Sequence, residues 1–135
     1  MLKIRIYSFG YKKSGVPEDD TANKGGFVFD CRFIYNPGRK REFTELTGKD
    51  KSVIDFLDNQ EKMQSFLNST FEIISSAIDN YLSRNFTDLL VSYGCTGGQH
   101  RSVYASEKLK TYLQEKYNSK ISVQIIHKEF PQYSS

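Results

Sequence analysis

The segment Leu89-Leu-Val-Ser-Tyr-Gly-Cys-Thr-Gly-Gly-Gln-His-Arg-Ser-Val-Tyr-Ala-Ser-Glu-Lys108 sets glycines between an apolar strand and a helix opening near His100. Gly94, Gly97 and Gly98 lack a Cβ, so the backbone there can turn sharply and present successive N–H groups. The helix adds its own unpaired amides and the positive end of its dipole. His100 and Arg101 bring side-chain donors to the first turn, beside the polar groups of Thr96, Gln99 and Ser102. A bare strand-to-helix connection needs the glycines but not the His, the Arg or the hydroxyls. Together they favour an anion, phosphate above all.

The chain on either side supports a strand–helix–strand unit. Thr87 to Tyr93 is apolar, the helix from His100 to Tyr117 buries Ala105, Leu109, Tyr112 and Leu113, and Lys120 to His127 alternates as a strand. A βαβ unit over 87–127 makes its two strands parallel. Upstream, Leu2, Ile4 and Ile6 alternate with Lys3, Arg5 and Tyr7. Gly26 to Ile34 is so continuously apolar that it reads as a central strand. Residues 18–26 read as a mobile surface connection. A short helix is predicted around Ser52 to Leu57 and a longer one from about Gln60 to Ser83. The longer one repeats Met63, Phe66, Leu67, Thr70, Ile74, Ala77, Ile78, Tyr81 and Leu82 at three- and four-residue steps. The expected fold is α/β: one three-layer domain over 1–135 with a sheet of about four strands, and a loose tail at about 130–135.

With 135 residues, 38% hydrophobic and 14% aromatic, the chain can fill one core. Nineteen basic against 16 acidic residues, a net +3, permit a nucleic-acid partner without arguing for one. Cys31 and Cys95 lack metal-ligand spacing, and no Cys/His/Asp cluster suggests a metal site or a resident cofactor. The strand-like start leaves no room for a signal peptide, and no apolar run could cross a membrane. Reduced thiols and a cytoplasmic setting are the expectation.

Ligands of open α/β sheets gather at the carboxyl ends of parallel strands. That edge would collect the glycine loop, His127 and, if the first strands share its polarity, Asp30 and Arg32. The candidate ligand-binding set is therefore Thr96, Gly97, Gly98, Gln99, His100, Arg101, Ser102, Asp30, Arg32 and His127. Arg101 offers a fork matched to phosphate, or a salt bridge to a carboxylate. Thr96 and Ser102 could bind phosphate or cap the helix. Asp30 and Arg32, two apart in a strand, could pair or form a polar rim. His127 could wall the crevice or be a satisfied strand-end histidine. Arg39-Lys40-Arg41 reads first as solvated surface.

Cys95-Thr-Gly-Gly-Gln-His-Arg101-Ser102 resembles the C-x5-R-[ST] phosphate loop of protein tyrosine phosphatases. That resemblance implies Cys95 as nucleophile, Arg101 as phosphate clamp and Asp30 or Asp50 as general acid, although Gly94 stands where those enzymes usually carry His. A longer resemblance, over residues 5 to 130, is to the C-terminal domain of the RapZ (YvcJ-like) proteins. It rests on Ser8-Phe-Gly-Tyr-Lys12 with Gly15-Val-Pro17, Phe27-Val-Phe-Asp-Cys-Arg-Phe33 with Asn36-Pro37, Leu46-Thr-Gly-Lys-Asp50, Gly94 to Val103, and His127-Lys128. This implies a standalone regulatory domain, a binder and not an established catalyst, without the family's N-terminal P-loop domain. The implied ligand is an amino-sugar phosphate such as glucosamine-6-phosphate, or a nucleotide, held by Thr96, Gly97 and Arg101. RNA, a protein partner and self-association are further implications. The sequence departs from the family pattern at Lys13-Ser14 and lacks the basic terminal extension of the RNA-binding members.

Overall fold

The alternation at the amino terminus forms the strand β1 (Leu2–Gly10), which buries Leu2, Ile4 and Ile6 completely on one face. The computed structural model describes all residues, Met1 to Ser135. After β1 come β2 (Gly26–Asp30), α1 (Lys51–Asp58), α2 (Glu61–Ser83), β3 (Asp88–Cys95), α3 (Arg101–Tyr117) and β4 (Ile121–His127). All strand pairs are parallel, in the order β2-β3-β1-β4.

That order dictates the layers. The connections β2 to β3 and β3 to β4 run one way along the sheet, and β1 to β2 runs back. For all to be right-handed, the backward one must cross the opposite face. The helices accordingly pack on one face: Met63, Leu67, Ile74 and Ile78 of α2 and Ala105, Leu109 and Leu113 of α3 close over Ile4, Ile6, Leu89, Val91 and Ile125 in one core. The irregular segment 11–25 covers the other face, where Asp19 and Asp20 approach Arg5. Asp19 fixes its turn by accepting from the backbone of Thr21 and Gly25. Inside the core, Tyr93 and Thr70 satisfy each other's hydroxyls at 2.7 Å.

Two expectations need correction. The segment from Gly26 is an edge strand, not a central one, and it ends at Asp30 rather than Ile34. Only Phe27 and Phe29 face inward, against Phe66 and Tyr93, whereas Val28 is 45% exposed. The strand stops because the Asp30 carboxylate accepts from the Arg32 backbone and turns the chain. The last residues bond back to β4. Ser135 donates its N–H to Ile125 O, Ser134 Oγ accepts from His127 N, and Tyr133 stacks on Phe130.

Candidate functional site

Parallel register brings the four strand ends together, with Gly10 beside Cys95, Asp30 beside Gly94 and Ser8 beside His127. The loop after β3 lies directly on the end of β1. A Cβ on Gly10 would sit 2.6 Å from the Gly97 carbonyl carbon, so only glycine allows this approach. Gly98 takes φ +69°, the left-handed conformation that turns the chain toward α3. Tyr11 N and Lys12 N donate to Cys95 O and Thr96 O, tying the next segment beneath the loop. Glu129 accepts from Gly10 N and from the Ser14 amide and hydroxyl.

With its carbonyls held in this way, the loop leaves its amides free. No N–H from Thr96 to Val103 donates to a protein acceptor, and the first bond of the helix is Tyr104 N to His100 O at 3.0 Å. A helix start alone leaves its first amides unpaired, but here the unpaired run begins several residues earlier. His100, the residue before the helix, provides no side-chain cap. Gly97 adds a smooth, open wall, since a Cβ there would meet nothing within 4 Å.

The loop's side chains turn outward to grip the segment between β2 and α1. Gln99 Nε2 donates to Thr44 O and Leu46 O at 2.8 and 2.7 Å. His100 Nε2 meets Phe43 O at 2.8 Å, and burial pushes its pKa below the ordinary imidazole range despite that bond. It therefore donates as a neutral imidazole. Arg101 is 3% exposed and makes no salt bridge: its Nη1 donates to Ile34 O at 2.7 Å and Arg32 O at 3.0 Å, with Cys31 O at 3.4 Å. Its Nε is buried with no partner, and Nη2 makes no protein hydrogen bond. The edge of the guanidinium that suits bidentate oxyanion binding is thus the unoccupied one.

Two hollows flank Arg101. One of about 230 Å³ is floored by Cys95, Thr96 and Gly97 and walled by Asn36, Thr44 and His100. The other, of about 260 Å³, shares Asn36, Thr96 and Arg101 and adds Arg32, Arg39 and Tyr35. Neither contains an acidic residue. The wall residues Asn36, Gly38, Arg39 and Thr44 are absent from the sequence-derived set. Their signals were Asn36-Pro37 in the family resemblance and the basic run from Arg39: Asn36 Oδ1 caps the turn by accepting from Gly38 N and holds it beside His100.

The other candidates separate. Cys95 Sγ lies 3.2 Å from Ser102 Oγ, and both are buried. Burial drives the thiol pKa of neighbouring Cys31 well up, helped by Cys95 and opposed by Arg101. Arg32 lies beyond β2, not within it. It chelates Asp30 through Nε and Nη2, stacks 3.9 Å over the Tyr11 ring, and so realises the ion pair while still facing the second hollow. Arg32 holds the Asp30 carboxyl below its ordinary range. Asp30 lines neither hollow. His127 is not a wall of the crevice: it is wholly buried, with Nδ1 2.6 Å from Ser8 Oγ and Nε2 2.6 Å from the Glu107 carboxylate. No helix is long and apolar enough to cross a membrane, and no group of His, Cys, Asp and Glu could hold a metal ion.

Residues 2–131 match the family model of the RapZ C-terminal domain. Among curated relatives, a nucleotide-binding protein of Glaesserella parasuis is 39% identical over 115 residues, 85% of this chain and 38% of its own length. A nucleotide-binding protein of Lactobacillus acidophilus is 37% identical over 132 residues, 98% of this chain and 42% of its own. One from Thermosipho melanesiensis is 39% identical over 128 residues, 95% and 42% respectively. The chain spans about two fifths of the length of these relatives.

Proposed function

The chain belongs to the RapZ C-terminal domain family, and from that premise we propose that it is a binding or regulatory module for a small phosphorylated metabolite. The phosphoryl group sits in the loop from Cys95 to Ser102. The observation that carries this reading is the unbroken run of N–H groups from Thr96 to Val103 with no protein acceptor, closed by the unpartnered Nε of Arg101. An oxyanion satisfies several unpaired amides at once while meeting the positive end of α3. The absence of acidic residues from both hollows agrees with an anionic ligand. Glucosamine-6-phosphate is the first compound to test, with nucleoside monophosphates beside it because the relatives are named nucleotide-binding proteins.

Calorimetric titration with glucosamine-6-phosphate tests the reading, with Gly97→Asp as control. The new side chain enters open space, so the fold is kept while a carboxylate repels phosphate. Binding in the micromolar range, lost in Gly97→Asp at an unchanged unfolding temperature, is the expected result. Failure of glucosamine-6-phosphate, the nucleoside monophosphates and inorganic phosphate alike to bind would refute it.

One observation favours a second reading, a cysteine-dependent phosphatase: Cys95 floors the hollow that Arg101 closes, and its sulfur contacts the Ser102 hydroxyl. The Cys95 thiolate would displace the alcohol from phosphorus, with Arg101 and the amides holding the equatorial oxygens and water later releasing phosphate. Neither general-acid candidate lines that hollow, which weighs against this reading: Asp30 is engaged by Arg32, and Asp50 accepts from Thr47 N. Hydrolysis of an aryl phosphate that vanishes in Cys95→Ser supports it, and no turnover by the parent chain removes it.

A further inference from the structure

The second hollow is built for charge as well as shape. Three guanidinium groups, Arg32, Arg39 and Arg101, border about 260 Å³ of space, and Asn36 and Thr96 connect it to the amide-lined hollow. Arg101 is spent on neither hollow alone. Its Nη1 is fixed to main-chain carbonyls while Nε, fully buried, has no partner. Arg32 is held in place by two contacts, the Asp30 carboxylate and the Tyr11 ring, and its Nη1 makes no hydrogen bond. Arg39 is exposed, with no ion pair to any carboxylate, on the short turn that Asn36 caps. Asp30 is the one carboxylate bound to any of the three, so this corner keeps a surplus of positive charge.

We propose that the site accepts two anionic groups at once: a phosphoryl group in the nest of amides 96–103, and a second phosphate or carboxylate in the Arg32–Arg39 hollow, with Arg101 between them; a monophosphate such as glucosamine-6-phosphate fills only the first. This deepens the phosphate-binding reading and rests on it. A single phosphate would leave the Arg39 guanidinium without a partner, since its side chain makes no hydrogen bond or ion pair within the protein, whereas Arg32 is already held by Asp30 and Tyr11. Planar bidentate donors are suited to a phosphate or carboxylate, and a charge-assisted bond at the second position is worth enough to change affinity by about tenfold or more.

The test compares fructose-6-phosphate with fructose-1,6-bisphosphate, and inorganic phosphate with inorganic diphosphate, by calorimetry at fixed ionic strength. At least one double anion is expected to bind about tenfold or more tighter than its single counterpart. Arg39→Ala is expected to erase that advantage, weakening the double anions far more than the single ones. Arg41→Ala, an exposed neighbour outside the lining, is expected to change neither. Equal affinity for single and double anions overturns the inference. So does an Arg39→Ala loss shared equally by both, or an equal loss in Arg41→Ala, because these would report only the general positive field. If single anions bind and Gly97→Asp abolishes them while double anions gain nothing, this inference alone falls. If none of the four binds, the phosphate-binding reading falls with it.

Discussion

Replacing Arg101 by Met separates the two tasks this side chain performs. Methionine keeps the length and apolar stem of the side chain, so the change is chiefly the loss of the guanidinium. On the protein side it removes a 2.7 Å bond to the buried Ile34 carbonyl and a 3.0 Å bond to Arg32 O, while the 3.4 Å contact to Cys31 O is too long to count for much. Two charge-assisted bonds at about 1.5–3 kcal/mol each give a loss of about 3–6 kcal/mol. For a chain of this size that is a fall in unfolding temperature of about 10–20 °C. Thermal unfolding followed by circular dichroism measures it directly. Arg101→Lys, which keeps a charge and a donor but not the fork, is expected to recover part of the loss. A Met variant that melts within about 4 °C of the parent would show that the guanidinium is not what ties residues 31–34 to α3. The role of Nη1 described above would then be wrong. The same reasoning makes Arg101 variants poor controls for binding, because lost stability and lost affinity arrive together.

Other perturbations probe the surroundings. In Gly48→Ala the new methyl would run into His100 O and Tyr104 N, the pair that opens α3, and a cost of about 1–3 kcal/mol in urea unfolding is expected; Gly97→Ala, facing open space, should cost almost nothing, and equal costs would contradict the loop geometry. His100 has its pKa lowered on folding by burial, so its contribution to stability is complete above about pH 6.5 and is lost as pH falls from there through the depressed folded value. Unfolding free energies between pH 8 and 5 should therefore decline more steeply for the parent than for His100→Gln, and parallel curves would refute the assignment. His127→Leu strands the buried Ser8 hydroxyl and the half-buried Glu107 carboxylate, for a loss of about 2 kcal/mol in urea unfolding; no loss would show that the pairing with Ser8 and Glu107 contributes nothing to the fold.

Elements with strong periodicity were readable from residues alone. The stripe from Met63 to Leu82 gave α2 nearly to its ends, and the run from Thr87 to His127 gave the parallel unit with its glycine turn. Strand order was not readable, because it depends on which face each crossover takes. Phe27-Val-Phe29 is equally apolar in the middle of a sheet or at an edge closed on one side by helices, and Val28 points to solvent. The loop's free amides could be anticipated from its glycines, but the outward turn of Gln99, His100 and the Arg101 Nη1 could not. Those bonds go to carbonyls of residues 31–46, far away in the chain, and a carbonyl carries no mark in the sequence. His127 illustrates the same limit, since its half-buried partner Glu107 sits on the outgoing helix and has no motif of its own.

The outward grip of Gln99 and His100 divides grip from discrimination. With those side chains committed to the protein, a phosphoryl group would be held mostly by main-chain N–H groups, which every sequence possesses and which read charge rather than identity. What would distinguish one ligand from another then lies in the bank between Arg32 and Thr44, the side of both hollows that presents side chains and not main-chain amides. Such a domain can change its metabolite by exchanging residues on that bank while its anchor stays intact. Specificity would then diversify on a fixed mechanical base, beginning at the capped turn of Asn36 and its neighbour Arg39.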